Sequence, residues 1–337
     1  MKAVGLYEYL PAENPESLQD VEVNRPSAAG HDILVEVKAV SINPVDTKIR
    51  SPKEGKEESP RILGWDAAGT VTEVGEAVTL FKPGDDVYYA GSVDRQGSNA
   101  DFQLVDERIA ASKPESLDYA EAAAMPLTTI TAWEGLFERL GIPKDPQTNK
   151  DRTILVIGAA GGVGSIAVQL AKWAGLTVIG TASREETSNW AESLGADYII
   201  NHHEDMGEQV RALGFNEVDN VFCLNSTHIH FPAAGELVKP QGGFCSIVES
   251  PEELDMNILK NKSAYFAWEF MFTRPLYQTD DMIEQHNLLT EAAALFESGE
   301  LKTTLTERKR PLEADVMRAA HQRVEEGSMI GKLVVER

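Results

Sequence analysis

Cysteine is scarce: Cys223 and Cys245 are the only two in 337 residues. Two cysteines make no disulfide framework. Both lie in apolar segments and read as buried, reduced thiols of a cytoplasmic protein. No apolar run approaches the roughly 18–20 residues that span a bilayer. The opening MKAVGLYEYL has neither an apolar h-region nor a small-residue cleavage site, so export is not expected. Positive charge is in deficit, with 31 Lys and Arg against 54 Asp and Glu and a formal charge of −23. Such a chain repels nucleic acid and anionic membrane surfaces, and neither is an expected partner. The seven histidines form no helical His-x-x-x-His pair and no Cys-rich cluster, so they point to no metal and read as surface and turn residues.

What remains is an ordinary globular composition, 42% hydrophobic and 25% charged, long enough for two domains with separate cores. Residues 1–125 carry short β-patterned segments, among them ILVEVKAVSI, GTVTEVG, DDVYYAG and ADFQLVDE. Turn signals separate them, and Pro83-Gly84 suits the centre of a type II turn. An all-β body follows from that pattern. From 126 to 265 the rhythm changes. A helix-like stretch, MPLTTITAWEGLFERLG, precedes short apolar runs that alternate with amphipathic ones, which predicts a parallel sheet with crossover helices. Residues 266–337 hold two further helices, at about 283–298 and 312–326, and a closing strand in GKLVVER. That segment is too short to fold alone and is expected to pack back on what precedes it.

The most informative stretch is TILVIGAAGGVGSIAVQLAKWAG. A buried strand runs into Ala160, Gly161, Gly162, Val163 and Gly164, and a helix follows with apolar residues at 163, 166, 167, 170, 171 and 174, one face of a 3.6-residue period. Glycines there permit a tight turn and a close approach of backbone N–H groups to a diphosphate at the helix N-terminus. The next strand, TVIGTA, ends at Ser183-Arg184, where an NAD-binding chain would place an acid for the ribose 2′-hydroxyl. A hydroxyl and a permanently charged, forked guanidinium suit a 2′-phosphate instead. The cofactor expected on this basis is NADPH; the plainer reading of Arg184 is an exposed residue at a helix start.

Seven stretches together resemble the medium-chain dehydrogenase/reductase superfamily over essentially the whole chain: NPVDTKIR, GWDAAGTVTEVG, PGDDVYYAG, GAAGGVGSIAVQLAK, GTASR, EFMFTR and GKLVV. The similarity is greatest to its quinone oxidoreductase branch, in particular to members labelled zinc-type alcohol dehydrogenase-like. It implies a β-rich GroES-like catalytic domain (1–125), a Rossmann doubly wound parallel-sheet domain for the dinucleotide (126–265) and a C-terminal segment (266–337) returning to the catalytic domain. In the zinc enzymes of this superfamily a cysteine, a histidine and a second cysteine hold the catalytic ion. Those places fall on Asn43, Trp65 and Leu127, and none is a plausible zinc ligand. Asp46 and Asp66 keep the acids of the two motifs, and Val45 stands where the zinc enzymes carry a proton-relaying hydroxyl. The resemblance therefore implies a lost metal site, with Trp65 filling the vacated volume and lining the floor of the substrate cleft, or simply packing.

Zinc would polarise a carbonyl as a Lewis acid. Without it, quinones and α,β-unsaturated carbonyls are the easier hydride acceptors, because conjugation spreads the developing negative charge onto oxygen. The expected reaction is hydride transfer from NADPH to such an acceptor, with hydrogen-bond donors stabilising the oxygen. Asn43 is the leading candidate for an amide contact at nicotinamide or substrate, or else a turn residue before Pro44. Asp46 orients its neighbours, and Lys48 pairs with it or lies exposed. The resemblance also brings Thr131, Val248 and Phe272 near the nicotinamide, His202 to a place where relatives often have a tyrosine near the adenine phosphate, and Lys332 within reach of a cofactor phosphate. Lys332 reads equally as an exposed start to the last strand. Of Tyr88 and Tyr89, alternation on a strand sends one toward the cleft and the other away. A zinc alcohol dehydrogenase with displaced ligands and a non-catalytic NADPH-binding sensor are the competing readings; relatives commonly pair as homodimers through the edge of the nucleotide sheet.

Overall fold

Alternating apolar and polar residues in DILVEVKAVSI build the longest strand, Asp32–Ile42, whose inward side chains are fully buried. It pairs antiparallel with Ala67–Val74, Phe102–Asp106 and the last strand of the chain, Lys332–Glu336, which lies against its end with Leu333 opposite Ile42. These belong to a seven-stranded sheet, and a three-stranded sheet of Lys2–Glu8, Gln19–Glu22 and Lys56–Ile62 accompanies it. The Pro83-Gly84 turn forms as read, with Gly84 at φ +99°, a conformation open to glycine at no steric cost.

The computed structural model describes residues 1–337 and divides into two compact units. One comprises residues 1–127, 272–299 and 303–337, and the other residues 128–271 and 300–302. The C-terminal helices, Glu284–Glu297 and Ala314–Glu325, belong to the first, GroES-like unit together with the closing strand.

The second unit is built on a six-stranded sheet that is parallel throughout. Its order is Tyr198–Ile200, Thr177–Thr181, Thr153–Ile157, Val218–Cys223, Val238–Ser246, Tyr265–Trp268. The strand that precedes the glycine loop sits third, buried along its whole length as a central parallel strand must be. Leu155, Ile157, Ile179, Val221, Phe231 and Phe244 belong to one core beneath helices Met206–Ala212 and Thr227–Leu237. This unit runs to 271 rather than 265 because Tyr265–Trp268 adds a sixth strand, Phe266 opposite Phe244. Read in sequence, YFAW is too short to signal a strand.

Two histidines correct the surface-and-turn reading. His230 is 5% exposed and His321 not at all. The helix Ala314–Glu325 turns His321 inward with Met317 and Ala320, where its Nδ1 accepts a hydrogen bond from Arg50 Nε at 3.3 Å. Burial and the Arg50 charge push the imidazole down to about 3. Cys223 and Cys245 are both buried and free, and burial raises the Cys223 thiol to about 12. No helix is long and apolar enough to cross a membrane.

Candidate functional site

Asn43, Asp46, Asp66 and Lys332 meet in the first unit as one buried polar cluster. Asn43 follows the longest strand and is the N-cap of the short helix Pro44–Arg50, with Pro at its first position. Asp46, three residues on, turns its carboxylate back to accept the Asn43 backbone N–H at 2.7 Å. Lys332 opens the last strand, and the pairing of that strand with Asp32–Ile42 brings it beside Ile42 and Asn43. Its ammonium donates to Asn43 Oδ1, to Asp66 Oδ2 at 3.1 Å and to the Ile42 carbonyl at 3.4 Å. Asn43 Nδ2 donates in turn to Asp66 Oδ2 at 3.1 Å and to the Ser41 carbonyl at 3.3 Å. Asp66 Oδ1 accepts the backbone N–H of Leu127 at 3.1 Å.

The electrostatics follow from burial. Lys332 is 3% exposed, and Asp46 and Asp66 are not exposed at all. Removing a carboxylate from water disfavours its charged form. Burial therefore pushes the Asp46 carboxyl up to about 7, against the opposing pull of the Asn43 N–H and Lys332. Burial raises Asp66 as well, with Lys332 and Asn43 holding it back. Asp46 Oδ1 has no hydrogen-bond partner.

Several expectations change accordingly. Lys332 is neither an exposed strand start nor turned toward a phosphate, since its three N–H donors are spent on Asn43, Asp66 and Ile42. Asn43 has both amide hydrogens committed inside the unit, so in this arrangement it fixes Lys332 rather than offering an N–H outward. Trp65 has no accessible surface and therefore packs rather than lines an open floor. Its indole meets the Phe272 ring edge-on at 6.4 Å between centroids, and its Nε1 is buried without a partner. Tyr88 and Tyr89 are both buried. The Tyr88 hydroxyl donates to the Leu289 carbonyl at 2.6 Å, while the Tyr89 hydroxyl has no partner. Lys48 is exposed.

The second unit holds the glycine loop as its spacing predicts. Gly158 turns with φ +88°, and a Cβ on Gly164 would lie 2.1 Å from the Gly158 carbonyl oxygen, so only glycine lets helix and strand approach this closely. Gly161 caps the helix Gly162–Trp173 with no side-chain hydrogen bond, which leaves the first-turn N–H groups of Gly162, Val163 and Gly164 without a side-chain cap. A Cβ on Gly161 would meet only the Gly158 oxygen, at 3.6 Å, so the space over the turn is open. Ala160 is buried in the loop. Uncapped donors at a positive helix end beside open space fit a diphosphate. Ser183 and Arg184 are exposed just past the strand Thr177–Thr181, and Arg184 Nη1 lies 3.0 Å from Glu186. Thr131 is buried in the helix Pro126–Trp133. Val248 is half-buried beyond the strand Val238–Ser246, its carbonyl accepting the Thr227 hydroxyl. His202 stands beside His203 and His230, their rings 4.3 and 5.7 Å away.

Two family profiles match the chain, one described as an alcohol dehydrogenase GroES-like domain over residues 29–115 and one as a zinc-binding dehydrogenase over 194–335. A zinc-type alcohol dehydrogenase-like protein of Staphylococcus aureus is 45% identical over 335 residues, 99% of each chain. A 2-methylene-furan-3-one reductase of Solanum lycopersicum is 35% identical over 61% of this chain and 52% of its own. The Escherichia coli quinone oxidoreductase, solved in complex with NADPH, superposes with a TM-score of 0.82 at 26% identity over the full length of both. The zinc in those names does not fit the residues here. An indole, a leucine and an amide offer no thiolate or imidazole, and a buried ammonium already neutralises Asp66.

The cluster makes two predictions. Replacing Lys332 by Met strands the buried carboxylates and should cost about 3–5 kcal/mol in denaturant unfolding. Part of that loss should return in the Lys332→Met/Asp66→Asn double variant; strictly additive losses would show that the pair is not coupled. Asp46 supplies the second. The folded protein keeps its proton up to about pH 7, whereas the unfolded chain loses it near pH 4. Its contribution is thus fully present below about pH 4 and is lost as pH rises to 7. Asp46→Asn keeps an acceptor for the Asn43 N–H but cannot ionise, so its melting temperature should gain on the parent between pH 4 and 7.5. A difference independent of pH would count against this assignment.

Proposed function

The chain belongs to the medium-chain dehydrogenase/reductase superfamily of nicotinamide-dependent oxidoreductases, and within it we propose a zinc-independent, NADPH-dependent reductase of quinones or α,β-unsaturated carbonyls. The observation that carries this reading is the buried Lys332–Asp66–Asn43 cluster where the zinc enzymes keep their ion and its acids. An ammonium with all three donors committed cannot polarise a substrate carbonyl. The acceptor must therefore be electron-poor by its own conjugation.

A bound NADPH supplies a hydride from its nicotinamide ring. The chain's own residues bind and orient. The N–H groups of Gly162, Val163 and Gly164 hold the diphosphate at the helix N-terminus. Ser183 and Arg184 take the 2′-phosphate; the exposed Arg184–Glu186 pair is weak and yields to a dianion. Within the nucleotide unit, Thr131 and Val248 would be the residues near the nicotinamide, as the resemblance implies. Lys332 keeps Asn43 and the start of the Pro44–Arg50 helix in place. With such a nucleotide bound, the hydride would go to the acceptor carbon as its π electrons shift to oxygen, leaving the oxidised nucleotide, and water or a nearby donor would supply the proton.

Names among the relatives support this substrate class: a quinone oxidoreductase complexed with NADPH and a 2-methylene-furan-3-one reductase. We further propose a cytoplasmic homodimer. The strand Tyr265–Trp268 is an open sheet edge, and Tyr265 and Trp268 are 40% and 48% exposed on it, a surface suited to pairing with a second copy.

The test is oxidation of NADPH and of NADH with a benzoquinone and an enone panel. Turnover should be seen with NADPH in preference to NADH. Tight NADPH binding with no acceptor reduced would favour a non-catalytic sensor, and one firmly bound zinc per chain by elemental analysis would favour an alcohol dehydrogenase. Arg184→Ala should weaken NADPH by about 10- to 100-fold, the worth of a charged hydrogen-bond pair, with little change for NADH. An unchanged ratio of the two affinities would remove the guanidinium from phosphate recognition.

A further inference from the structure

Four histidines gather at the carboxyl end of the nucleotide sheet. His202 and His203 follow the strand Tyr198–Ile200, and His228 and His230 lie in the first turns of the helix Thr227–Leu237. The rings of His202 and His203 are 4.3 Å apart and those of His202 and His230 5.7 Å, the latter pair edge-on. The cluster is graded in depth: His203 is exposed, His202 and His228 half-buried, His230 buried. Nδ1 of His202 and Nδ1 of His228 are both buried and lack any hydrogen-bond partner. Two orphaned ring nitrogens in one cluster are costly unless something completes them.

Strand register places Arg184 at the same edge. Thr181 pairs with Ile200, and the Ala182 N–H donates to the Ile200 carbonyl at 3.0 Å. Ser183-Arg184 and Asn201-His202 thus leave neighbouring parallel strands side by side, at the end of the sheet where such folds bind ligands. A protonated imidazole has two donors and no acceptor, and a phosphate monoester offers three strong acceptor oxygens. We infer that this cluster takes up a proton when a phosphate monoester binds beside Arg184, so that discrimination between the phosphorylated and unphosphorylated nicotinamide nucleotides is set by pH. The inference rests on the proposed NADPH reading and adds to it a proton-linked control.

Without an anion, burial disfavours the charged forms of His202 and His230, and neighbouring rings add repulsion to any charge placed there. His202 lies below the ordinary histidine range through burial and the His203 charge. His230 is pushed down to about 4 by burial and by the three other rings. The charged groups on the surrounding elements are engaged elsewhere or stand at helix ends. Glu204 accepts from Asn201, and Asp205 caps the next helix through the Glu208 N–H. Glu186 pairs with Arg184 beside Glu185 at the head of the helix Glu185–Ser193. Glu208 and Arg211 lie on the helix Met206–Ala212, Glu236 near the far end of Thr227–Leu237, and Lys260 on Asn257–Lys260. A dianion set against the rings would reverse the repulsion and raise their proton affinity. Affinity for the phosphorylated nucleotide then rises as pH falls, by up to about tenfold per pH unit for one proton taken up.

Calorimetric titration of the full chain with NADPH and with NADH at pH 7.0–8.0, in phosphate-free buffers of different ionisation enthalpy, counts the protons. The 2′-phosphate itself titrates near pH 6 and contributes little in this range. NADPH should take up on the order of one proton more than NADH. The excess should vanish in His202→Gln/His203→Gln. In His202→Lys, whose charge is fixed, NADPH should bind tightly with a flat pH profile. A preference for NADPH with equal proton uptake for both nucleotides, or with an excess unchanged in the double variant, overturns the inference alone. Equal affinity for the two nucleotides at every pH overturns the cofactor reading and this inference with it.

Discussion

A single buried ion pair organises the GroES-like unit. Lys332 arrives on the last strand and Asp66 on the loop before the strand Ala67–Val74, some 266 residues apart in the chain, and they meet at 3.1 Å with Asn43 between them in the same network. Charges this deep persist only when paired and hydrogen-bonded, because desolvation would otherwise neutralise or expel them. The Lys332 ammonium meets three acceptors, and Asp66 meets three donors from Lys332, Asn43 and Leu127. The closing strand is thereby pinned in register against Asp32–Ile42. A slip of one residue would turn the lysine to the opposite face of the sheet.

The same pair is the observation on which the proposed metal-free reduction rests. The ammonium touches only residues of its own unit, and Trp65, next to Asp66 in the chain, is buried as well. Trp65 is the largest of the wholly buried side chains and stacks edge-on with Phe272. The charge of Lys332 is thus committed to the scaffold. The other unit carries the loop of glycines, whose lack of side chains permits close backbone contact.

A second group of titratable residues lies in the nucleotide unit, in the His202–His203–His228–His230 cluster. It differs from the lysine cluster in being graded from exposed to buried. A buried ion pair with its donors committed locks a fold, whereas rings with unpaired nitrogens are free to change protonation.

Much of this was legible in the residues as a string. The change of period near residue 126, the turn at Pro83-Gly84 and the glycines of 158–164 are local signals, because backbone conformation and helix ends depend on near neighbours. The absence of thiolate and imidazole at 43, 65 and 127 needed only the motifs. Tertiary structure alone decided where Lys332 points, that Asn43 is committed inward, that Trp65 is sealed, that His230 and His321 are buried and that Tyr265–Trp268 is a sixth strand. Each depends on a partner far away in sequence: Asp66 for Lys332, Arg50 for His321, Phe244 for Phe266. A side chain's partner and its exposure to water are set by the packing of distant elements, and no local pattern carries that information.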